Sequence, residues 1–177
     1  MSIEVRPETP EDADTVRRIV VAAFRHGPGP REIPPGEEPV EGGLLDGLRA
    51  DPGAVDSGWI VEADGEPVAH ALVVNLTVGG TPTLGLGMLA TLPAHQKRGH
   101  GAKAVYAVIG ALLERGEPLL IVFGSPQYYG RFGFVPAPVV GISHPSYPSP
   151  YLQALALQTP FPRGEVAYPR PYADLDA

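Results

Sequence analysis

The sequence predicts a mixed α/β fold, and three observations carry that expectation. Two β-branched, apolar stretches flank Asp64-Gly65 and a third follows Gly79-Gly80, which is the pattern of a three-strand meander. Apolar residues recur at helical spacing on both sides of that meander, through residues 16–24 and 102–113. A short, wholly apolar run, Leu119–Phe123, follows the later helix as a buried central strand would. The 177 residues suit one domain with a sizeable core.

At the start of the chain, Ile3 and Val5 alternate with Glu4 and Arg6 in a short strand. Thr9-Pro10-Glu11-Asp12 then opens a helix with a capping hydroxyl, a first-turn proline and two acids. Val16, Ile19, Val20, Ala23 and Phe24 give that helix its apolar face, and Gly27-Pro28-Gly29-Pro30 ends it. A long mobile loop is expected up to Pro39. Residues 41–48 suit a second helix with Leu44, Leu45 and Leu48 on one face, although Gly42, Gly43 and Gly47 lower its propensity, and Asp51-Pro52-Gly53 closes it.

Residues 59–63 and 67–77 form a hairpin, because Asp64-Gly65 supplies the positive φ angles a two-residue turn requires. Gly79-Gly80-Thr81-Pro82 leads into a third strand, residues 83–92, whose Gly85 and Gly87 indicate a bulge or a backbone left open to a ligand. From Gly101 to Arg115, the residues Ala102, Val105, Ile109, Leu112 and Leu113 stripe a helix that Gly116 and Pro118 stop. Beyond the apolar run, Gly124-Ser125-Pro126 opens a short helix through Tyr128-Tyr129, and Phe134-Val135 resumes as strand. From Pro136 onward proline and aromatic residues dominate, with no sustained period apart from residues 151–157. The expected organisation is a domain of residues 1–136 with an ordered extension, residues 137–177, packed on it.

Composition removes several classes of function. A formal charge of −7 with only 13 Lys and Arg argues against nucleic-acid binding, which needs a basic face. The absence of cysteine excludes disulfides, thiolate metal sites and a cysteine nucleophile. No basic leader precedes an apolar stretch, and no run reaches the roughly 18 apolar residues of a membrane span, so a cytoplasmic location and no membrane partner are expected. Asn75-Leu76-Thr77 matches the glycosylation sequon by chance, in a strand. The histidines and acids show no metal-ligand spacing such as His-Glu-x-x-His, so no metal site is expected.

The richest chemistry sits at Gln96-Lys97-Arg98-Gly99-His100-Gly101, between the third strand and the later helix. Glycines one residue apart let the backbone turn tightly and approach a ligand, while the helix that follows offers unpaired N–H groups and the positive end of its dipole. Lys97, Arg98 and Lys103 gather positive charge there in an acidic chain. A pyrophosphate suits this turn. Gly85-Leu86-Gly87-Met88-Leu89-Ala90 and Gly99-His100-Gly101-Ala102-Lys103-Ala104 both fit the loose dinucleotide fingerprint, yet Pro93 rather than a helix follows the first. The second lacks an acid at the end of its following strand, which argues against a nicotinamide. The same lysine lacks the glycine spacing and following hydroxyl of a nucleotide P-loop.

In element order and in two motifs the chain resembles the GNAT acetyltransferase superfamily. Gln96-Lys97-Arg98-Gly99-His100-Gly101 fits the family's acetyl-CoA pyrophosphate loop, (Gln/Arg)-x-x-Gly-x-(Gly/Ala), and Tyr128-Tyr129-Gly130-Arg131-Phe132-Gly133-Phe134 is similar to its downstream Leu-Tyr-x-x-x-Gly-Phe segment. The resemblance covers residues 3–136 and implies a twisted, mixed but mostly antiparallel sheet flanked by helices, with acetyl-CoA as acetyl donor. It implies that Leu89, Ala90 and Thr91 lie along the pantetheine arm, that main-chain N–H groups of residues 97–102 (Lys97, Arg98, Gly99, His100, Gly101, Ala102) hold the pyrophosphate, and that Gln96 braces the loop. Tyr129 would be the general acid that delivers a proton to the departing thiolate, with Tyr128 a packing residue. Lack of cysteine favours direct attack by an amine over a ping-pong route.

Two departures from the family pattern matter. The strand before the short helix runs Val122-Phe123-Gly124-Ser125 with no cofactor-binding asparagine, leaving Ser125 as a partial substitute. Residues 84–89 carry no carboxylate to act as general base, so His70, Glu62 and an ordered water stay open as candidates. His95 and His100 read as exposed loop residues. The expected activity is transfer of acetyl to a primary amine of a small molecule or peptide, with an inactive acyl-CoA-binding module as the alternative. Glu37, Glu38 and Glu41 lie where the family walls its acceptor site and would attract a cationic amine. Tyr147, Tyr151, Tyr168 and Tyr172 either close over the acceptor pocket or form a homodimer contact.

Overall fold

The computed structural model describes residues 1–26 and 32–175. Its centre is one twisted sheet built from β1 (Ile3–Pro7), β2 (Val55–Ala63), β3 (Glu66–Val78), β4 (Thr81–Thr91), β5 (Leu119–Phe123), β6 (Val135–Pro136) and β8 (Leu152–Ala156), in the order β1-β2-β3-β4-β5-β8-β6. Every pair along that path is antiparallel except β4 with β5. Two short parallel strands, β7 (Ile142–Ser143) and β9 (Gly164–Ala167), attach through β9 to the end of β3.

Helices α1 (Ala13–Arg25) and α2 (Val40–Ala50) cover one face of the sheet and α3 (His100–Arg115) the other. The strand period decides which residues meet which helix. Along β3, Ala71 and Val73 join Val105, Val108 and Leu112 of α3, while Leu72 and Val74 join Ile19 and Leu45 from α1 and α2. With both faces covered, β3 is a continuous apolar run rather than an alternating one. Leu45 is fully buried, and its truncation to alanine costs about 3 kcal/mol in such a core.

Several boundaries differ from the sequence reading, each for a visible reason. Pro10–Asp12 forms a 3-10 turn and α1 begins only at Ala13, because the Asp12 carboxylate is held by the Arg6 guanidinium at 2.8 and 2.9 Å and accepts from the Thr9 N–H at 2.8 Å. The Gly27-Pro28-Gly29-Pro30 stop lies outside the described residues. Strand β2 starts at Val55 rather than residue 59, although Asp56, Ser57 and Gly58 are poor strand formers. Asp56 is paired with Arg115 at 2.8 Å, and Gly58 leaves the space that the Glu8 carboxylate fills. Within the extension, Leu152–Ala156 is a strand inserted between β5 and β6, so the aperiodic stretch supplies an inner strand of the main sheet.

The glycines of β4 mark a bulge, as expected. Leu72 faces Met88 and Val73 faces Leu86, so Gly87 is the extra residue. Pairing of β4 with β5 ends at Leu86 and Val122, after which β5 continues with β8 and β4 with β3 only. From Gly87 to Thr91 one edge of β4 is therefore left without a strand partner among the described residues.

Candidate active site

That open edge leads directly into the glycine turn. After a 3-10 turn at Pro93–His95, the Gln96 side-chain amide donates to the Thr91 carbonyl at 3.2 Å, tying the turn to the end of β4. Lys97 and Gly99 both take left-handed backbone angles, φ 61° and 83°, which fold the chain so that α3 starts at His100. The Lys103 N–H closes the first helical bond on the Gly99 carbonyl at 3.1 Å, and the N–H groups of His100, Gly101 and Ala102 precede it. Their position at the end of a 16-residue helix gives them the positive end of its dipole.

A cavity of about 760 Å³ opens over this turn. Leu89, Thr91, Gln96, Lys97, Gly99, His100, Gly101 and Ala102 line it, together with the last turn of α1, Tyr128 and Arg131. Of the residues expected along the cofactor, Ala90 turns its methyl into the core beneath α1 and α2, since strand alternation places Leu89 and Thr91 on the cavity side. Arg98 is exposed and lies outside the cavity lining. His100 departs from the reading as an exposed loop residue, being 2 % accessible. Burial first, then the neighbouring positive charges of His95, Arg98 and Lys103, push its pKa below that of free histidine. Neither ring nitrogen has a hydrogen-bond partner among the described residues, so the ring is a neutral wall rather than a proton carrier.

A second cavity, about 800 Å³, adjoins the first and shares Phe24, Leu89 and Tyr128 with it. Tyr129 and Ser125 reach it from α4 (Pro126–Tyr129), and Gly87 and Met88 from the bulge. The Ser125 hydroxyl caps α4, accepting from the Tyr128 N–H at 3.4 Å. Gly124 makes room for the Tyr129 ring, since a Cβ there would lie 2.6 Å from it. Edge-on contacts with Phe134 and Tyr128, at 5.7 and 5.0 Å between ring centres, fix the ring's direction. Burial pushes the Tyr129 phenol well above the usual tyrosine range, with the neighbouring Tyr128 adding to the effect, so the hydroxyl keeps its proton.

The three elements of the site therefore form one path: turn, open strand edge, buried phenol. A model of the acetyltransferase (GNAT) domain matches residues 4–137 of the chain. The chain belongs to the GNAT acetyltransferase family. Among solved structures it is similar to a GNAT family acetyltransferase from Brucella melitensis in complex with acetyl-CoA, at 29% identity and TM-score 0.75, covering 97% of this chain and 98% of that one. YhbS, a GNAT family N-acetyltransferase from Escherichia coli in complex with CoA, has the same fold at 23% identity and TM-score 0.82, covering 97% of this chain and 92% of its own. The ribosomal-protein-S18-alanine N-acetyltransferase of Escherichia coli shares the fold at 17% identity and TM-score 0.60, over 90% and 97% of the two chains. No curated protein sequence matches the chain.

Within this GNAT domain, two of the base candidates lie away from both cavities. His70 is fully buried and its Nε2 is 2.8 Å from the Glu8 carboxylate, while Glu62 is paired with Arg6 at 2.9 Å, and neither lines either cavity. Among the three acids expected near the acceptor, Glu38 is exposed and held by Arg17 at 2.8 Å, and Glu37 is exposed. Glu41 is buried in the first turn of α2 and lines the second cavity. Sequence reasoning assigned no role to Arg131, whose guanidinium lies 4.4 Å from the Tyr128 ring centre and lines the first cavity. Its place inside the Tyr-Tyr-Gly-Arg-Phe-Gly-Phe segment was the available signal. Phe24 at the second cavity carried no such signal, because only the packing of α1 brings it there, whereas Tyr147, Tyr168 and Tyr172, expected either over an acceptor pocket or in a homodimer contact, line this cavity.

Proposed function

We propose that this protein binds acetyl-CoA along the β4 edge and the glycine turn, and transfers its acetyl group directly to a primary amine in the second cavity. The observation that carries this reading is the unpaired β4 edge from Gly87 to Thr91, running into the left-handed turn at the N-terminus of α3 with Tyr129 at its other end. The residues fit such a donor. Main-chain N–H groups of residues 97–102 are placed for a pyrophosphate, Lys97 and Arg131 add positive charge, and the open strand edge offers backbone partners to the pantetheine amides. The Brucella relative, of similar length, is a complex with acetyl-CoA. When bound, acetyl-CoA supplies an activated thioester carbonyl.

Tyr129 then serves as a hydrogen-bond donor to the negative charge developing on sulfur. With its pKa raised by burial, the phenol is a weak acid, but the same low-dielectric cavity strengthens a neutral donor aimed at a thiolate. Ser125 orients the helix that carries it. The chain has no cysteine to accept an acyl group, which favours a ternary complex of enzyme, acetyl-CoA and amine. We read residues 1–136 as the domain that carries this chemistry, with 137–177 an extension on the same body. Calorimetry with acetyl-CoA and thiol release in the presence of amines test the reading. Saturable binding with amine-dependent thiol release supports it; saturable binding without release on any amine supports the non-catalytic module that the missing carboxylate in residues 84–89 suggests.

A further inference from the structure

Three of the chain's five histidines, His26, His95 and His100, line the cavity over the glycine turn, together with Lys97 and Arg131. No Asp or Glu lines it among the described residues, in a chain whose formal charge is −7. His100 stands apart within this cluster. It is 2 % accessible, yet neither its Nδ1 nor its Nε2 has a hydrogen-bond partner among the described residues. Buried polar atoms without partners are rare and costly in a folded protein. This ring belongs to the first turn of a 16-residue helix, where the N–H groups and the helix dipole favour an anion. An anion accepted by the main-chain N–H groups of His100, Gly101 and Ala102 lies beside the ring, because the ring and one of those donors share a residue.

Resting on the acetyl-CoA binding described above, we propose that the His100 imidazole is a proton-linked binding residue: it takes one proton from solvent when the cofactor's diphosphate occupies the turn, and faces that anion as an imidazolium. The groups around the ring explain why the proton arrives only with the ligand. In the free protein burial opposes the charged form, and the positive neighbours His95, Arg98 and Lys103 add to it, with the His95 ring centre 6.0 Å away. Lys97 on the turn, His26 at the end of α1 and Arg131 beyond α4 line the same cavity, and the Tyr128 phenol opposite stays protonated because burial raises its pKa. A diphosphate reverses the sign of the local field. It offsets the repulsion from those cations, and salt screens a buried charge little. The bound protein then holds more protons than the free one, so affinity rises as pH falls through the bound-state value, and levels off once the free ring is protonated too. The proton returns to solvent when the cofactor leaves.

The test uses the full-length protein with acetyl-CoA and with acetyl-3′-dephospho-CoA, which keeps the diphosphate but lacks the 3′-phosphate, a group that itself titrates near pH 6. Calorimetry in two buffers of different ionisation enthalpy gives the protons taken up on binding. The expected result is net uptake between pH 6 and 7, and a dephospho ligand bound about fivefold or more tightly at pH 6 than at pH 8. In His100→Leu the uptake should fall by more than half and the affinity at pH 6 should drop toward the wild-type value at pH 8, while the affinity at pH 8 stays within about twofold. His95→Asn and His26→Asn should keep most of the uptake. A readout independent of any variant is NMR of wild-type protein carrying carbon-13 at the histidine Cε1 atoms. The His100 resonance, assigned through its contact with the His95 ring, should titrate about one pH unit higher when acetyl-CoA saturates the protein. Binding without proton uptake, an unmoved His100 midpoint, or uptake that survives in His100→Leu and vanishes in either neighbour's variant overturns this inference with acetyl-CoA binding intact. No saturable binding of acetyl-CoA at any pH overturns it together with the donor reading.

Discussion

The Tyr172 hydroxyl donates a hydrogen bond to the Gly87 carbonyl at 3.2 Å, so a residue near the C-terminus holds the bulge that opens β4. A Cβ on Gly87 would lie 2.6 Å from that hydroxyl and 2.7 Å from Val74, which leaves glycine as the residue that fits. Tyr172→Phe should cost about 1 kcal/mol of stability and lower kcat/KM by a few fold, the value of one neutral hydrogen bond at a positioned backbone group. Gly87→Ala, which must push Tyr172 or Val74 aside, should cost about 1–3 kcal/mol and reduce activity more. Denaturant unfolding and initial rates on both variants check this.

Gly99 has open space around its Cα but a φ of 83°, so the effect of a side chain there is conformational alone. Gly99→Ala should cost about 1–2 kcal/mol in backbone strain, part of which appears as relaxation of the turn. Acetyl-CoA affinity should fall by about tenfold, while helix content by circular dichroism stays the same. Calorimetry of the variant gives the affinity directly.

Tyr129→Phe keeps the ring packing against Phe134 and Tyr128 and removes only the hydroxyl. Turnover should drop by about a hundredfold with acetyl-CoA affinity within about twofold of the original. Because burial raises the Tyr129 pKa, the wild-type rate should show no loss from phenol ionisation up to pH 10. A rate that falls with an apparent pKa near the ordinary tyrosine value would remove this residue from the donor role.

His100 sets a distinct acid sensitivity. Its folded pKa lies below the 6.5 of free histidine, so the unfolded chain takes up the proton first as pH falls. The stability that this neutral ring contributes is fully present above pH 6.5 and is lost below it, at up to about 1.4 kcal/mol per pH unit. The depressed carboxylates, Glu8, Asp12 and Asp56, act in a lower window, because their unfolded values are 4.5, 3.8 and 3.8. Melting temperatures of the wild type and His100→Leu between pH 7 and 5 separate the two, with the steeper fall expected in the wild type. Since both ring nitrogens are buried without a partner among the described residues, His100→Leu should be about as stable as the wild type at pH 7.

Most of the fold was legible because it is carried by local signals. Asp64-Gly65, Gly79-Gly80 and Gly116 stand at positive φ where turns and a helix end were expected, and Gly87 is the bulge. The glycine turn under the first cavity was legible for the same reason, since Lys97 to Gly101 are contiguous in sequence. The second cavity was legible only in part: Glu41 and Tyr172 were among the residues expected around an acceptor, but Phe24 was read only as part of the apolar face of α1, and the three meet only when α1, α2 and the C-terminal segment pack together. Strand β8 was partly hidden because Leu152–Ala156 is short and flanked by proline-rich stretches, and only its pairing with both β5 and β6 reveals its inner position. The burial of His100 was masked by its neighbours, as Lys97, Arg98 and Lys103 suggest a fully solvated turn.

The most direct measurement follows an isotopically labelled acetyl carbon from acetyl-CoA during incubation with the protein and a panel of primary amines, by NMR. The expected result is transfer of the label from the thioester to an amide, at a rate that rises and saturates with both reactants and with initial-rate lines that intersect. A label that stays in the thioester while acetyl-CoA binds saturably, or that reaches the protein before the amine, would contradict direct acetyl transfer.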